Sequence, residues 1–332
     1  MRQMIIIIAV GILLCNFKIK AQDIHFSSLN YNPMFVNPAM TGFMSSKFRV
    51  SSMFRNQWQT VSNKGYNTLL SSIELQPFAT SGNGMGVGVS FVNDVAGELG
   101  YGERDFAFYV SYFFAVNKRK NAFLSLGASI SRKKWEYDLS KARFNREETY
   151  EDNITYDRLN SLDFSLGASF QYNVTDKKQF NVNFSVFNLN ESKLQYFETS
   201  DATSKIHRRY QSNVSYLFDV SDMLSLRPQI MYNNQYRYNE VLYGTDFVFD
   251  LTGEIFTQNI FSFGLFVRNT EAIILAPKYK YNDFLAGVSY DVNISKLNKV
   301  SHTYGAIEFW LSYAFSSYSV KHKNNKIPCP IF

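Results

Sequence analysis

The sequence predicts an all-β protein: a single chain closed into a transmembrane β-barrel of about 14 antiparallel strands, with a non-strand arm before it and a short tail after it. Three observations predict this. Apolar and polar residues alternate with period two along most of the chain, as in YGAIEFWLSYAF at 304–315. There Ile307, Phe309, Leu311, Tyr313 and Phe315 share one side, and Ala306, Glu308, Trp310, Ser312 and Ala314 the other. Aromatic residues make up 17% of the 332 residues while mean hydropathy is only -0.21, the result when each outward apolar residue is averaged with an inward polar one. After the first 21 residues no apolar run approaches the roughly 18 residues of a spanning helix, so a membrane crossing must be made by strands. A soluble sandwich or jelly roll also buries one face per strand, but it does not need so many strands with outward aromatics.

The N-terminus reads as a secretory signal. Met1-Arg2-Gln3 is a short basic region, Met4 to Leu14 is apolar, and cleavage after Ala21 leaves Gln22 first. The division expected is signal peptide 1–21, N-terminal arm or plug 22–46, barrel 47–317 and C-terminal tail 318–332. Cys15 ends the apolar run, but Ile12-Leu13-Leu14 lacks the small residue that precedes a lipidated cysteine. Cleavage leaves Cys329 as the one thiol, which excludes an intrachain disulfide and thiol-paired zinc or redox sites. Loss of Arg2, Lys18 and Lys20 takes the formal charge from +6 to +3, too little on this size to suggest nucleic acid.

The elements follow in order. Asn32-Pro33 and Asn37-Pro38 are turn signals beside Phe26, Tyr31 and Phe35, predicting a segment pinned in or under the lumen, or an ordered loop before the first strand. Lys47 to Trp58 is the first strand, with Phe48, Val50 and, less neatly, Met53 as apolar anchors. Thr68 to Gln76 is its mate, where Leu70, Ile73 and Leu75 show a slip in phase that a bulge absorbs. In Asn83 to Asn93, Met85, Val87, Val89 and Phe91 alternate with Gly84, Gly86, Gly88 and Ser90. A glycine face predicts close internal packing or a sharp bend there. Arg104 to Val116 and Ala122 to Arg132 form the next hairpin, and the charged interval 133–160 resembles a long extracellular loop.

Asp163 to Tyr172 and Gln179 to Leu189 resume the rhythm, and a polar interval at 190–207 leads to Arg208 to Val220. Ser221-Asp222 then reads as a tight two-residue turn into Met223 to Tyr236. Pro228 in that strand removes a ladder hydrogen bond and predicts a bulge or strained register. Val241 to Leu251, Thr257 to Arg268, a short strand in Thr270 to Lys278, Phe284 to Asn293 and Tyr304 to Phe315 complete the set. Closure has a physical cause, because an unpaired backbone group in hydrocarbon costs several kcal/mol and an open sheet leaves a row of them.

Catalytic constellations are absent from the sequence. His25, His207, His302 and His322 are isolated, no GxSxG elbow occurs, and the glycines of 82–88 lie in a strand pattern rather than before a helix. Glu308 falls on the inward phase of the last strand and is expected to pair with Arg55, Arg104 or Arg227 across the lumen, as structural support.

Asn32-Pro33, Asn37-Pro38-Ala39, Thr41-Gly42, Arg49 and the Arg55-x-Gln57-Trp58 group resemble the start of the PorP/SprF family, membrane proteins of the type IX secretion system of Bacteroidota. GVSYDVNISKL at 287–297, the Glu308 strand and the tail Pro328-Cys329-Pro330-Ile331-Phe332 are similar to the family's end, although Ile331 stands where many members carry a basic residue. The resemblance implies a non-enzymatic outer-membrane role without cofactors. It implies as partners the periplasmic ring subunits of the apparatus or the C-terminal domain of a large secreted adhesin, anchored at the surface and in some bacteria used for gliding motility. Contact candidates are then the intervals 133–160 and 190–207 for the adhesin, and the Asn-Pro motifs and the tail for the periplasmic end. The alternative is a FadL-like or porin-like solute channel, which predicts the same ladders and the same surrounding lipid.

Overall fold

The computed structural model describes residues 24, 26–27, 31–59, 65–80, 82–97, 100–136, 158–175, 178–194, 204–252, 259–295 and 298–315. The predicted signal peptide, Cys15, the tail with Pro328, Cys329 and Pro330, and most of the two polar intervals lie outside them.

Period-two alternation becomes strand wherever it persists. The strands are β1 (Phe48–Gln57), β2 (Tyr66–Ala79), β3 (Asn83–Ala96), β4 (Tyr101–Ala115), β5 (Ala122–Glu136), β6 (Arg158–Thr175), β7 (Lys178–Phe187) and the two-residue β8 (Lys193–Leu194) and β9 (Ser204–Lys205). They continue as β10 (Arg209–Asp219), β11 (Leu224–Gln235), β12 (Tyr238–Asp250), β13 (Asn259–Arg268), β14 (Ala272–Tyr281), β15 (Phe284–Asn293) and β16 (Tyr304–Phe315). Fourteen of these described strands close into a barrel, each antiparallel to its neighbour in sequence except that β7 pairs directly with β10; β8 and β9 form a separate ribbon. The closing seam joins β1 to β16 from Phe48↔Phe315 to Gln57↔Ala306 without interruption. No edge is left in the barrel, as spanning hydrocarbon requires.

One phase of every strand faces out. Phe54, Ile73, Phe106, Leu126, Leu166, Phe184, Ile230 and Phe309 are exposed on that side, where lipid replaces water and exposure is burial in hydrocarbon. The opposite phase is mostly polar or small, apart from apolar clusters such as Met53, Leu70 and Trp310. Ser72, Ser90, Ser125, Asp163, Gln171, Gln229, Asp246 and Glu308 are enclosed. The β5–β6, β7–β10 and β15–β16 junctions, the longest in sequence, all fall at one end of the barrel, and both barrel termini at the other, where residues 282–283 join β14 to β15. Long loops mark the extracellular end and the termini the periplasmic one.

The structure alters several local expectations. Met53 and Leu70 are buried in the lumen rather than set outward; Leu69 is the outward residue, so β2 has no slip near Leu70. The register shift of β2 lies instead between Leu75 and Phe78, beside Pro77, which cannot donate to the ladder. Pro228 produces no bulge: the β10–β11 ladder lapses between Ser215↔Gln229 and Phe218↔Leu226 and resumes in the same register. The Ser221-Asp222 turn is wider than two residues, because Val220 and Ser221 donate to Leu224 O and close it over 220–223. β14 is a full ten residues, not a short strand.

Candidate functional site

The lumen is the site, and the described residues of the arm, 24, 26–27 and 31–46, lie in it. Both Asn-Pro pairs act as helix starts. Asn32 caps a single α-helical turn, α1 (Pro33–Val36), accepting from the Phe35 N–H at 3.4 Å, and Asn37 caps a 3-10 turn at Pro38–Met40, accepting from the Ala39 N–H at 2.9 Å. Proline fits the first position of each turn because its missing N–H has no partner to lose there. Two such turns compress the arm into a wad that fits the barrel's width.

The periplasmic half of the wad is docked on β3 to β7 backbone against backbone. A β-carbon on Gly86, Gly127 or Gly167 would overlap Thr41 O, the Pro38 carbonyl or Asn37 Oδ1 respectively. Serines between these glycines supply donors: Ser111 Oγ to Thr41 O and Ser125 Oγ to Ala39 O, both 2.5 Å. Asn37 Nδ2 donates to Ala168 O at 3.0 Å and Phe184 O at 3.3 Å, bridging two strands. Thr41 Oγ1 donates to Pro38 O at 2.8 Å and Ala39 is fully buried. Gly42 adopts φ +61, which costs glycine little, and donates its N–H to Glu74 Oε2 at 2.8 Å. Glu74 is held in turn by Arg49 Nε at 2.7 Å, and Gln76 Nε2 donates to Gly42 O and Met44 O. Phe43 packs with Phe113 and Phe123 beneath.

The extracellular half is held by charge. Arg55 on β1 pairs with Glu308, its register partner on β16, and lies 3.5 Å from Asp291. Arg268 meets Asp291 at 2.9 Å and lies 3.6 Å from Glu240. Ser27 sits in the middle: its N–H donates to Glu308 Oε1 at 2.7 Å, its hydroxyl donates to Asp291 Oδ2 at 2.6 Å, and Ser27 Oγ itself accepts from Arg55 and Arg268. A second group, Lys278 2.9 Å from Asp246 with Arg227 at 4.0 Å, lies below it. Tyr31 stacks on Trp310 at 3.8 Å, and Lys278 Nζ lies 5.3 Å from its ring centroid. Four cations balance four carboxylates here, as burial demands.

Glu308 thus pairs with Arg55 between adjacent strands, not across the lumen. Arg104 instead bonds Glu136 at 2.5 Å near the exposed rim, and Arg227 faces Asp246. Gln57 Oε1 accepts from Arg55 at 3.3–3.4 Å, whereas Trp58 stands at the end of β1 with φ +63, turning the chain away from the strand. Asn32 also donates to Ser72 Oγ at 2.7 Å, and Pro33 is buried. Sequence reading missed Ser27, Asp291, Arg268 and Glu74. The available signal was a charge in the inward phase of a strand: Asp291 keeps phase with Ser289 and Asn293. No group of His, Cys, Asp and Glu that could hold a metal occurs among the described residues. The cavities beside the arm, about 30 and 40 Å³, have room for a few waters.

A family model described as type IX secretion system membrane protein PorP/SprF matches residues 18–313. The chain belongs to the PorP/SprF family. The Asn-Pro motifs that carry this resemblance are therefore the helix starts of the lumenal wad, and Arg55 and Glu308 are its charged seat. As a PorP/SprF protein with a closed strand barrel, the chain is a non-enzymatic protein of the outer membrane. No curated protein matches it. Among solved structures it is similar to the Ralstonia pickettii toluene transporter TbuX (10% identity, TM-score 0.54, covering 87% of this chain and 94% of that one). It is also similar to the CymD monoaromatic hydrocarbon channel (10%, 0.53, 87% and 94%) and a Pseudomonas aeruginosa FadL homologue (10%, 0.51, 86% and 94%). At such identity the likeness is one of fold.

Proposed function

We propose that this barrel is a closed docking component of the type IX secretion apparatus, joined to periplasmic ring subunits and/or capturing and anchoring the C-terminal domain of a secreted surface adhesin. The observation that carries this reading is the lumen itself. Among the described residues, the arm is bonded to β1, β2, β4 to β7, β13, β15 and β16, its backbone is seated against glycines, and the cavities beside it have room for a few waters. A protein that works through its rims needs a rigid, sealed cylinder; one that conducts needs the reverse. The hydrocarbon transporters of similar fold supply the competing channel reading, and the packed arm weighs against it.

The test has two arms. Gentle-detergent extraction from the native outer membrane, followed by mass identification of co-purified chains, is expected to recover ring subunits or a large protein bearing a type IX C-terminal domain. Reconstitution in a planar bilayer is expected to show no steady conductance. A clean barrel without such partners, together with solute-dependent conductance, overturns the proposal in favour of the channel.

A further inference from the structure

The extracellular lip between β7 and β12 carries exposed basic side chains. Among the described residues there, Lys193, Lys205, Arg208 and Arg237 are exposed and Glu191 is the carboxylate; Glu198 and Asp201 share the connection in sequence, so the basic edge is the one formed by Arg208 and Arg237. Glu191 is already engaged, 3.8 Å from Lys205 and 3.7 Å from His207 Nδ1. Glu240, next along the chain, is turned into the lumen toward Arg268, and Glu271 lies on the following hairpin. Desolvation raises the Glu191 carboxyl, but the Arg208 N–H and the charges of Lys205, Arg208 and His207 hold it below the ordinary range.

The patch is built, not a loose set of long side chains. His207 lies flat on Tyr236 at 4.1 Å and 6°, its backbone carbonyl accepting from Gln235 Nε2 and Asn188 Nδ2. Arg237 lies 5.2 Å from the centroid of the Tyr236 ring, and Arg208 Nε is fixed by Leu189 O at 2.9 Å. The register Arg209↔Gln235 sets Arg208 beside Tyr236. Its height is also defined. Arg208 follows the outward phase of Tyr210, and Tyr210, Tyr232 and Tyr243 are exposed outward on these strands as an aromatic belt. Such a belt marks the membrane–water interface, with lipid headgroups just beyond it.

We infer that Arg208, Arg237, Tyr236 and His207 form a site for the phosphate-bearing headgroup of an outer-leaflet glycolipid, the guanidiniums taking the phosphate and the exposed Tyr236 ring lying against the adjoining sugar. Guanidinium forks match phosphate oxygens, and basic groups at headgroup depth recognise anionic lipids. The site would fix the barrel's rotation relative to its lipid shell, at the lip that carries the β8–β9 ribbon.

The experiment reconstitutes the full mature chain in phosphatidylcholine nanodiscs doped with diphosphorylated lipid A, and counts retained lipid A by native mass spectrometry. Each Arg near an anionic surface contributes roughly a factor of five. Arg208→Ala/Arg237→Ala is therefore expected to lower lipid A enrichment about thirtyfold, with Arg208→Lys/Arg237→Lys retaining part of it. Heat-dependent gel mobility checks that each variant is a folded barrel. Equal enrichment in wild type and the double alanine variant overturns the inference. So does complete displacement of lipid A by inorganic phosphate, which would make the patch a site for the free ion.

Discussion

Arg55 is where the charge balance of the lumen is most exposed to a single change. Its guanidinium faces Glu308, fully buried, and Asp291, itself 2% exposed. Replacing Arg55 with Ala leaves those carboxylates short of a partner in a site that water enters poorly. Breaking a buried pair from one side costs about 3 to 5 kcal/mol. Arg55→Ala is expected to lower the urea midpoint of the refolded barrel accordingly. Arg55→Met combined with Glu308→Leu, which removes both charges at similar volume, should recover much of the loss; a double variant as unstable as Arg55→Ala would show that the pair is not the source. Asn37 acts differently, since one amide satisfies three backbone groups: Ala168 O and Phe184 O as acceptors and the Ala39 N–H as donor. Asn37→Ala unseats the cap and orphans those groups, for about 1 to 3 kcal/mol. Hydrogen exchange at the Ala39 amide checks it, and unchanged protection there would refute the role.

At the scale of elements, the arm and the glycine face of β3 to β6 explain one another. Gly127→Val places side-chain atoms where the Pro38 carbonyl lies, so it is expected to expel the arm while leaving β5 in register with β4 and β6. Limited proteolysis should then cut within residues 31–43, which are almost all buried in the wild type. Continued protection would mean that the arm is held from the charged side alone. This pairing also shows what the sequence could and could not tell. Alternating Gly84, Gly86 and Gly88 announced a close internal neighbour, and the outward ladders of β6 and β16 were readable residue by residue, because hydrocarbon imposes the same demand on every strand. Met53 and Leu70 were misread for the complementary reason. Apolar residues normally face lipid, but these two meet Phe26, Tyr31 and Trp310 of an apolar lumenal cluster that no single strand's period reveals. The Asn-Pro pairs looked like turns and are helix caps, the two sharing one local chemistry. Ser27 had no signal, since its four partners are brought together by closure alone, from strands as distant in sequence as β1 and β16.

For the whole molecule the question is whether the cylinder or its filling carries the function. The barrel closes through uninterrupted backbone pairing of β1 with β16, so deleting residues 31–43 should leave a heat-modifiable barrel in the membrane. Its lumen would change character. Serines and glycines of β3 to β7 would face water on one wall, and the charges of Arg55, Arg268, Lys278, Asp246, Asp291 and Glu308 would face it on the other, a polar bore of the kind that conducts ions. The deletion is therefore expected to turn a silent barrel into one with steady conductance in a planar bilayer. Partners bound at the rims should remain if rim geometry depends on the strands, and be lost if the arm transmits shape from the lumen to the periplasmic end. The two readouts separate sealing from docking. Conductance without partner loss makes the arm a seal; loss of both makes it the organiser of the periplasmic rim. A deletion that stays silent would mean that another segment closes the bore, and would remove the arm from its place as the plug.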